Sequence, residues 1–315
     1  MAVTPLAPGN PDYASNSASR WIPQIWSSKL VGKFYKETVF AAISNTDYEG
    51  EIKNKGDKVI IRQTPEISIF DYQSGMDLNY STYESTTIEL DIDRGKYFAF
   101  PIDDVQKKQA DVNYLNAWST DAAQRMKIVV DRDILANIFV GCNSYNKNAS
   151  AGKESGLYNL GASTAPVGID KTNVIEYIQM TAAVLSEQNV PESQRWIVIP
   201  GWMAFLIKTS DMKNADMMGD DKSLIRSGLI GSIDGYRIFQ SNNFTPVADT
   251  VGGVACTAYH VPFGHPSGLT FAAQMSKTET LRNPKQFGDL IRSLMIYGYK
   301  LIRPESVGDL YCYKA

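Results

Sequence analysis

Arg195-Trp-Ile-Val-Ile-Pro200 is followed about thirty residues later by Gly228-Leu-Ile-Gly-Ser-Ile-Asp-Gly-Tyr-Arg-Ile-Phe239 and Ser241-Asn-Asn243. Trp196 to Ile199 is an apolar run without alternation, the pattern of a short strand buried on both faces. Pro200-Gly201 ends it, and Trp202 to Lys208 begins a helix. Asp234-Gly235, set between Leu229-Ile230 and Tyr236-Arg-Ile-Phe239, predicts a hairpin with a type I′ turn. Upstream, Asp170 is placed to cap a helix whose apolar face is Val174, Tyr177, Ile178, Ala182 and Leu185. Residues 170–265 therefore read as a compact α/β unit. The chain then returns to strands at Leu269–Ala273 and Leu290–Arg303, the latter containing Met295-Ile-Tyr-Gly-Tyr-Lys-Leu-Ile-Arg-Pro304. A turn at Pro304–Gly308 and a last strand at Leu310–Tyr313 follow.

The stretch before this unit holds three different patterns. Residues 1–19 are rich in Pro, Gly, Ser, Asn and Ala, with Asp12 their one charged side chain, and read as an extended arm. Trp21, Ile22, Ile25, Trp26, Leu30, Val31, Phe34 and Tyr35 then form the apolar face of an amphipathic helix. From Lys58 the period drops to two: Val59-Ile60-Ile61 opens a strand, continued by Ile67 and Ile69, and Ile88, Leu90 and Ile92 form the return strand. Between them lies a polar, tyrosine-rich tip with Tyr72, Tyr80 and Tyr83. A two-stranded ribbon alone is marginal in water, so it must pack on its own body or on a partner. Leu115, Trp118, Ala122, Met126, Val130, Ile134 and Ile138 next recur every three or four residues, with Asp111 as N-cap and Gly141 as the stop. A helix over residues 112–140 would be about 40 Å long, long enough to act as a spine. Residues 141–169 read as a loop or an insertion between layers.

Composition removes several function classes. The 315 residues carry a net charge of −3, and the first nineteen contain no Lys or Arg, so neither a basic stripe nor a basic arm for gripping nucleic acid is present. Cys142, Cys256 and Cys312 are far apart and form no C-x-x-C pair, which predicts free thiols in a reducing compartment. No signal-peptide pattern and no apolar run of spanning length occurs, so a soluble cytoplasmic product without membrane contact is expected.

A search for chemistry returns little. His260 and His265 sit in His-Val-Pro-Phe-Gly-His-Pro266, which reads as a loop and does not place both on one helical face. No G-x-S-x-G elbow is present, Gly228, Gly231 and Gly235 flank a hairpin, and Gly152-Lys153 lacks the rest of a phosphate loop. Asp91 and Asp93 fall on the solvated face of the return strand by alternation. Neither a catalytic set, a metal site nor a cofactor is expected. The unusual feature is aromatic surplus in segments that cannot bury themselves: Trp21 and Trp26 in the arm, and Tyr72, Tyr80 and Tyr83 in the ribbon. Aromatic side chains bury large area with few rotors, which favours them at interfaces, and these five are the candidate intersubunit contacts.

In this order, arm, ribbon, spine helix, α/β unit and closing strands resemble the major capsid proteins of tailed phages, the Hong Kong 97-type fold. The resemblance implies an α+β fold in which residues 1–46 are the N-terminal arm and helix, 47–100 the extended β-ribbon loop, and 101–163 a peripheral domain with the spine helix. Residues 164–267 would be the axial α/β domain and 268–315 the strands completing the peripheral domain. It further implies a structural protein rather than an enzyme, assembling through pentamers and hexamers into an icosahedral shell around packaged double-stranded DNA, without sequence-specific binding. The expected location is the virion, after assembly in the host cytoplasm. A portal protein is an expected partner, with a decoration protein optional. Because the arm starts at Met1, without the long charged leader of some relatives, a separate scaffolding protein is expected. Lys53, Lys55 and Lys58 lie near the ribbon base and no lysine occurs between 63 and 95, so a shell without lysine crosslinks is expected. Two other readings stay open: an encapsulin-like compartment that stores a protein cargo, and a soluble α/β enzyme or binding module using the axial clefts.

Overall fold

The computed structural model describes residues 38–47, 58–65, 67–77, 80, 82–104, 114–210, 232–284 and 287–315. The expected arm helix at 21–35, the Asp111 cap, Lys53, Lys55 and the Met-rich span 212–222 lie outside these residues.

Two sheets and a long helix organise the described chain. The spine helix α2 (Tyr114–Asn137) follows a single helical turn, α1 (Phe40–Ile43), and continues as a 3-10 segment over Ile138–Gly141. Its 24 residues span about 36 Å at 1.5 Å per residue. The 3-10 segment ends at the expected stop, Gly141, where an added Cβ would stand 3.1 Å from Leu301 Cδ1, tighter than ordinary contact. The helix buries Val130, Ile134 and Ile138, as the periodicity predicts, but Trp118 is 43% exposed. There, Phe100 reaches across to Trp118, with ring centroids 6.0 Å apart.

The first sheet has the order β10-β11-β3, made of β10 (Leu269–Arg282), β11 (Gly288–Leu301) and β3 (Arg94–Asp103). The β10–β11 hairpin is longer than its sequence pattern indicates, and it pairs through a register shift between Ala273 and Met275. Asn45 adds a bridge to Thr270 at the β10 edge. One face of this sheet packs on the spine helix through Phe271 and Tyr297, in a core shared with Val39, Ile43, Trp196 and Val198.

The second sheet has the order β4-β12-β9-β5-β7-β6, with β8 pairing on β9. Its strands are β4 (Val167–Ile169), β5 (Trp196–Ile199), β6 (Ser232–Ile233), β7 (Tyr236–Gln240), β8 (Val247–Val251), β9 (Val254–Gly264) and β12 (Val307–Lys314). All four residues of β5 are buried. Ile197 and Ile199 face α3 (Val174–Glu187) and α4 (Gly201–Thr209), while Trp196 and Val198 join the spine-helix core. A strand buried on both faces has no polar side to alternate, which is why this one reads as a continuous apolar run. The last strand, β12, inside the 268–315 segment, lies in this sheet: it pairs with β9 on one edge and, in parallel, with β4 on the other.

The hairpin turn takes the form expected of it, and the helix cap does not. Asp234 and Gly235 have φ of 48° and 76°, both left-handed as a type I′ turn requires. Asp170 does not sit at the cap position, which is Asn173; its carboxylate instead accepts the Thr172 and Asn173 N–H groups one turn earlier. Arg195 is 2% exposed, and its guanidinium donates to the carbonyls of Ala182, Val190 and Pro191 and to Ser186 Oγ. It thereby ties the last turns of α3 to the Val190–Pro191 segment that follows the helix.

Candidate interaction surface

The ribbon is shorter in pairing than alternation predicts. β1 (Lys58–Arg62) and β2 (Thr87–Asp91) pair antiparallel from Lys58↔Asp91 to Arg62↔Thr87. Beyond them, among the described residues, only Gln63 N–H to the Thr86 carbonyl, at 2.8 Å, continues the backbone ladder, and Ile67 and Ile69 lie in no strand. The base is firmly seated: Ile61, Leu90 and Ile92 pack with Ala272 and Ile302, and Val59, Ile88 and Ile296 press on them. The outer face of the three-stranded sheet meets the base so closely that a Cβ at Gly298 would run into the Asp91 carbonyl. Gln63 adds a side-chain bond to the Ile302 carbonyl at 3.3 Å.

Past this base the apolar residues have no body beneath them. Ile69 is 95% exposed, Tyr80 90%, Tyr72 72% and Tyr83 37%. Tyr83 is the least exposed because its hydroxyl accepts the Ser68 N–H at 2.9 Å, tying one side of the loop to the other. Of the five candidate contacts, the structure therefore brings Tyr72, Tyr80 and Tyr83 onto one protruding segment with Ile67, Ile69 and Phe70; Trp21 and Trp26 lie outside the described residues. Ile67 and Ile69 are a part of the surface that the pattern of residues assigns to strand alternation rather than to contact. A single exposed Leu or Ile is ordinary on a protein surface, whereas a contiguous apolar run on a projecting segment marks an interaction site.

Two carboxylates hold the frame from which the ribbon projects. Asp131 is fully buried on the spine helix; its Oδ1 accepts the N–H groups of Val39 and Phe40, each at 2.9 Å, and its Oδ2 accepts Asn243 Nδ2 at 2.6 Å. One side chain thus ties the N-terminal segment, the spine and the loop after β7. Burial pushes its carboxyl above the usual range, against the pull of those three bonds. Two residues on, Asp133 accepts Arg94 Nη1 at 2.7 Å and the Tyr297 hydroxyl at 2.9 Å, linking the spine to β3 and β11. Tyr299, which donates to the Asp133 carbonyl and carries the Arg94 guanidinium over its ring, is pushed up to about 12, first by burial and then by the Asp133 charge.

No group of three His, Cys, Asp or Glu side chains is placed to hold a metal among the described residues. The grooves are open; one of about 580 Å³ is lined by Trp202, Val254, Cys256, Tyr259, Tyr313 and Lys314, without a converging set of acids or bases. Cys142, Cys256 and Cys312 are free thiols, and burial pushes Cys142 and Cys312 far above the range of a reactive thiolate. No helix of the described residues is long and apolar enough to cross a membrane. Asp91 and Asp93 are exposed, as alternation predicts. The histidines are the correction: the segment read as a loop contains the end of β9, and His260 is a strand residue whose Nδ1 lies 2.6 Å from Asp309 Oδ2. The partner lies 49 positions away, so no local pattern could reveal it.

No protein-family model matches the sequence, and no curated protein matches it. Solved structures do. The chain is similar to a structure of Mycobacterium phage Che8 at 28% identity and a TM-score of 0.73, covering 92% of this chain and 96% of that one. It is also similar to the capsid of cyanophage P-SCSP1u, at 14% identity and a TM-score of 0.72, covering 98% and 100%. A third match is the capsid of a native GTA particle, at 13% identity and a TM-score of 0.64, covering 96% and 100%. Near-full coverage in both directions, from ribbon to closing strands, shows that the chain has the α+β, Hong Kong 97-type fold of the tailed-phage major capsid proteins.

Proposed function

We propose that this protein is the major capsid subunit of a tailed phage, a structural protein whose copies assemble into an icosahedral shell. The observation that carries this reading is the ribbon: a segment seated at its base on the three-stranded sheet, with Ile69, Tyr72 and Tyr80 projecting unburied beyond it. Such a segment gains its stability by lying on another copy, and a closed shell repeats one such heterologous contact around every local axis. Contacts that are modest singly then add through multivalency. Pentamers and hexamers, the enclosed double-stranded DNA, and a separate scaffolding protein and portal extend the same proposal. The net charge of −3 suits a container filled with DNA under force rather than one condensing DNA by charge.

Placing a photoreactive phenylalanine at Tyr80 and mixing isotopically light and heavy subunits tests this. Crosslinks from the ribbon to peptides of the other isotope are expected, in assembled particles only. Crosslinks confined to the same chain would overturn the reading, because the ribbon would then pack on its own body.

A further inference from the structure

The shell reading makes no use of His260, yet this residue sits where the end of the spine helix meets the seven-stranded sheet. Its ring stacks on Phe139, with centroids 3.6 Å apart and planes 3° from parallel; Tyr311 lies 4.5 Å away on its other flank. Phe139 belongs to the 3-10 segment that ends the spine helix, whereas His260 and Asp309 belong to β9 and β12. Asp309 is 4% exposed; its Oδ2 meets His260 Nδ1 at 2.6 Å, and its Oδ1 has no hydrogen-bond partner among the described residues. A buried carboxylate with one bare oxygen depends on its remaining partner.

The other groups facing the pair are few. From the spine side come Lys147, whose Nζ donates to the carbonyls of Phe139 and Val140 at 3.3 Å each, and the buried thiol of Cys142. From the sheet come Cys312 and Tyr311, the latter donating its hydroxyl to Asp249 of β8 at 2.8 Å. Imidazole is the side chain whose ordinary charge change falls between about pH 5 and 8.

We propose that His260 and Asp309 form a proton-operated bolt between the end of the spine helix and the seven-stranded sheet. Protonated, the imidazolium supplies the counter-charge for Asp309 while its ring clamps Phe139. When the proton leaves to solvent, the Nδ1–H bond can persist, but the anion loses that counter-charge and the joint loosens. Burial acts on Asp309 in the same direction: its carboxyl is raised, so ionisation costs the folded state, and that cost is felt as pH rises. His265, the chain's other histidine, has the opposite sign. Burial lowers it, so protonation opposes folding and stability is lost as pH falls. A loss on raising pH therefore points to the His260–Asp309 pair rather than to His265.

Amide exchange across residues 138–147 of the full chain, corrected for intrinsic rates, reads the bolt directly. From about pH 5.5 to about pH 8, the range in which an imidazole changes charge, the wild-type protection should fall. His260→Phe keeps a ring against Phe139 without a charge and should flatten the profile, as should Asp309→Asn; His265→Gln should leave the fall intact. A wild-type profile that is already flat, an undiminished fall in His260→Phe or Asp309→Asn, or a fall abolished by His265→Gln would each overturn the proposal. The readout is local and made on the unassembled subunit, so failure here leaves the shell reading standing, and failure to form shells leaves the bolt standing.

Discussion

Replacing Tyr72 and Tyr80 with aspartate separates folding from assembly. The two rings are 72% and 90% exposed in the subunit, so their loss should change its stability by no more than about 0.5 kcal/mol, the range of surface substitutions. If both are buried against a neighbouring copy, each contributes about 2 kcal/mol, the usual value for covering a large apolar side chain. Together they contribute about 4 kcal/mol per ribbon, a factor of about a thousand in the contact equilibrium. The introduced carboxylates add to this, because an unpaired charge cannot be buried cheaply. Urea unfolding of the subunit and light scattering of the assembly mixture read the two effects independently. An unchanged urea midpoint with assembly abolished at micromolar protein is expected. Wild-type shell yield from the double variant would refute the reasoning, and so would a subunit that no longer folds, since that would place the rings in a core.

Three further substitutions probe the frame behind the ribbon. Asp131→Ala leaves the N–H groups of Val39 and Phe40 and the Asn243 amide without their shared acceptor, so a loss of about 3–5 kcal/mol is expected in urea unfolding, with faster exchange at residues 39–45. Gly298→Ala pushes a methyl group into the Asp91 carbonyl where the ribbon base crosses β11, and should cost about 1–3 kcal/mol as an overpacked site, with loosened exchange in β1 and β2. Asp249 accepts the N–H groups of Thr164 and Thr250 and the Tyr311 hydroxyl, which hold its carboxyl below the usual range. A depressed carboxyl stabilises above its unfolded value and loses that contribution as pH falls through the folded one. Asp249→Asn should therefore have a lower thermal midpoint than wild type at pH 7, with the difference closing in acid.

How much of this was legible depended on whether the physics was local. The β5 run, the Asp234-Gly235 turn and the Val130–Ile134–Ile138 stripe each carry their own signal, and each stands where it was expected. The β9 strand was hidden by Pro262 and Gly264, which mark a loop in most contexts. They are tolerated here because β8 pairs with β9 only from Val254 to Ala258 and β5 only at Phe263 and Gly264. Pro262 therefore sits opposite Asp309 with its other edge free, where a missing N–H costs nothing. Of the interaction surface, Tyr72, Tyr80 and Tyr83 were visible as aromatics in a segment too polar to fold alone. Ile67 and Ile69 were hidden by an alternation that tertiary structure does not use. The Asp131 and His260 joints join residues 91, 92, 112 and 49 positions apart, and no pattern of composition or spacing encodes a pairing at that distance.

Electron microscopy with light scattering on the purified full-length chain, alone and with a candidate scaffolding protein, is the most direct test of the shell function. Closed, uniform particles tens of nanometres across are predicted, built from rings of five and six copies. A folded 34.9 kDa monomer under both conditions would contradict the account.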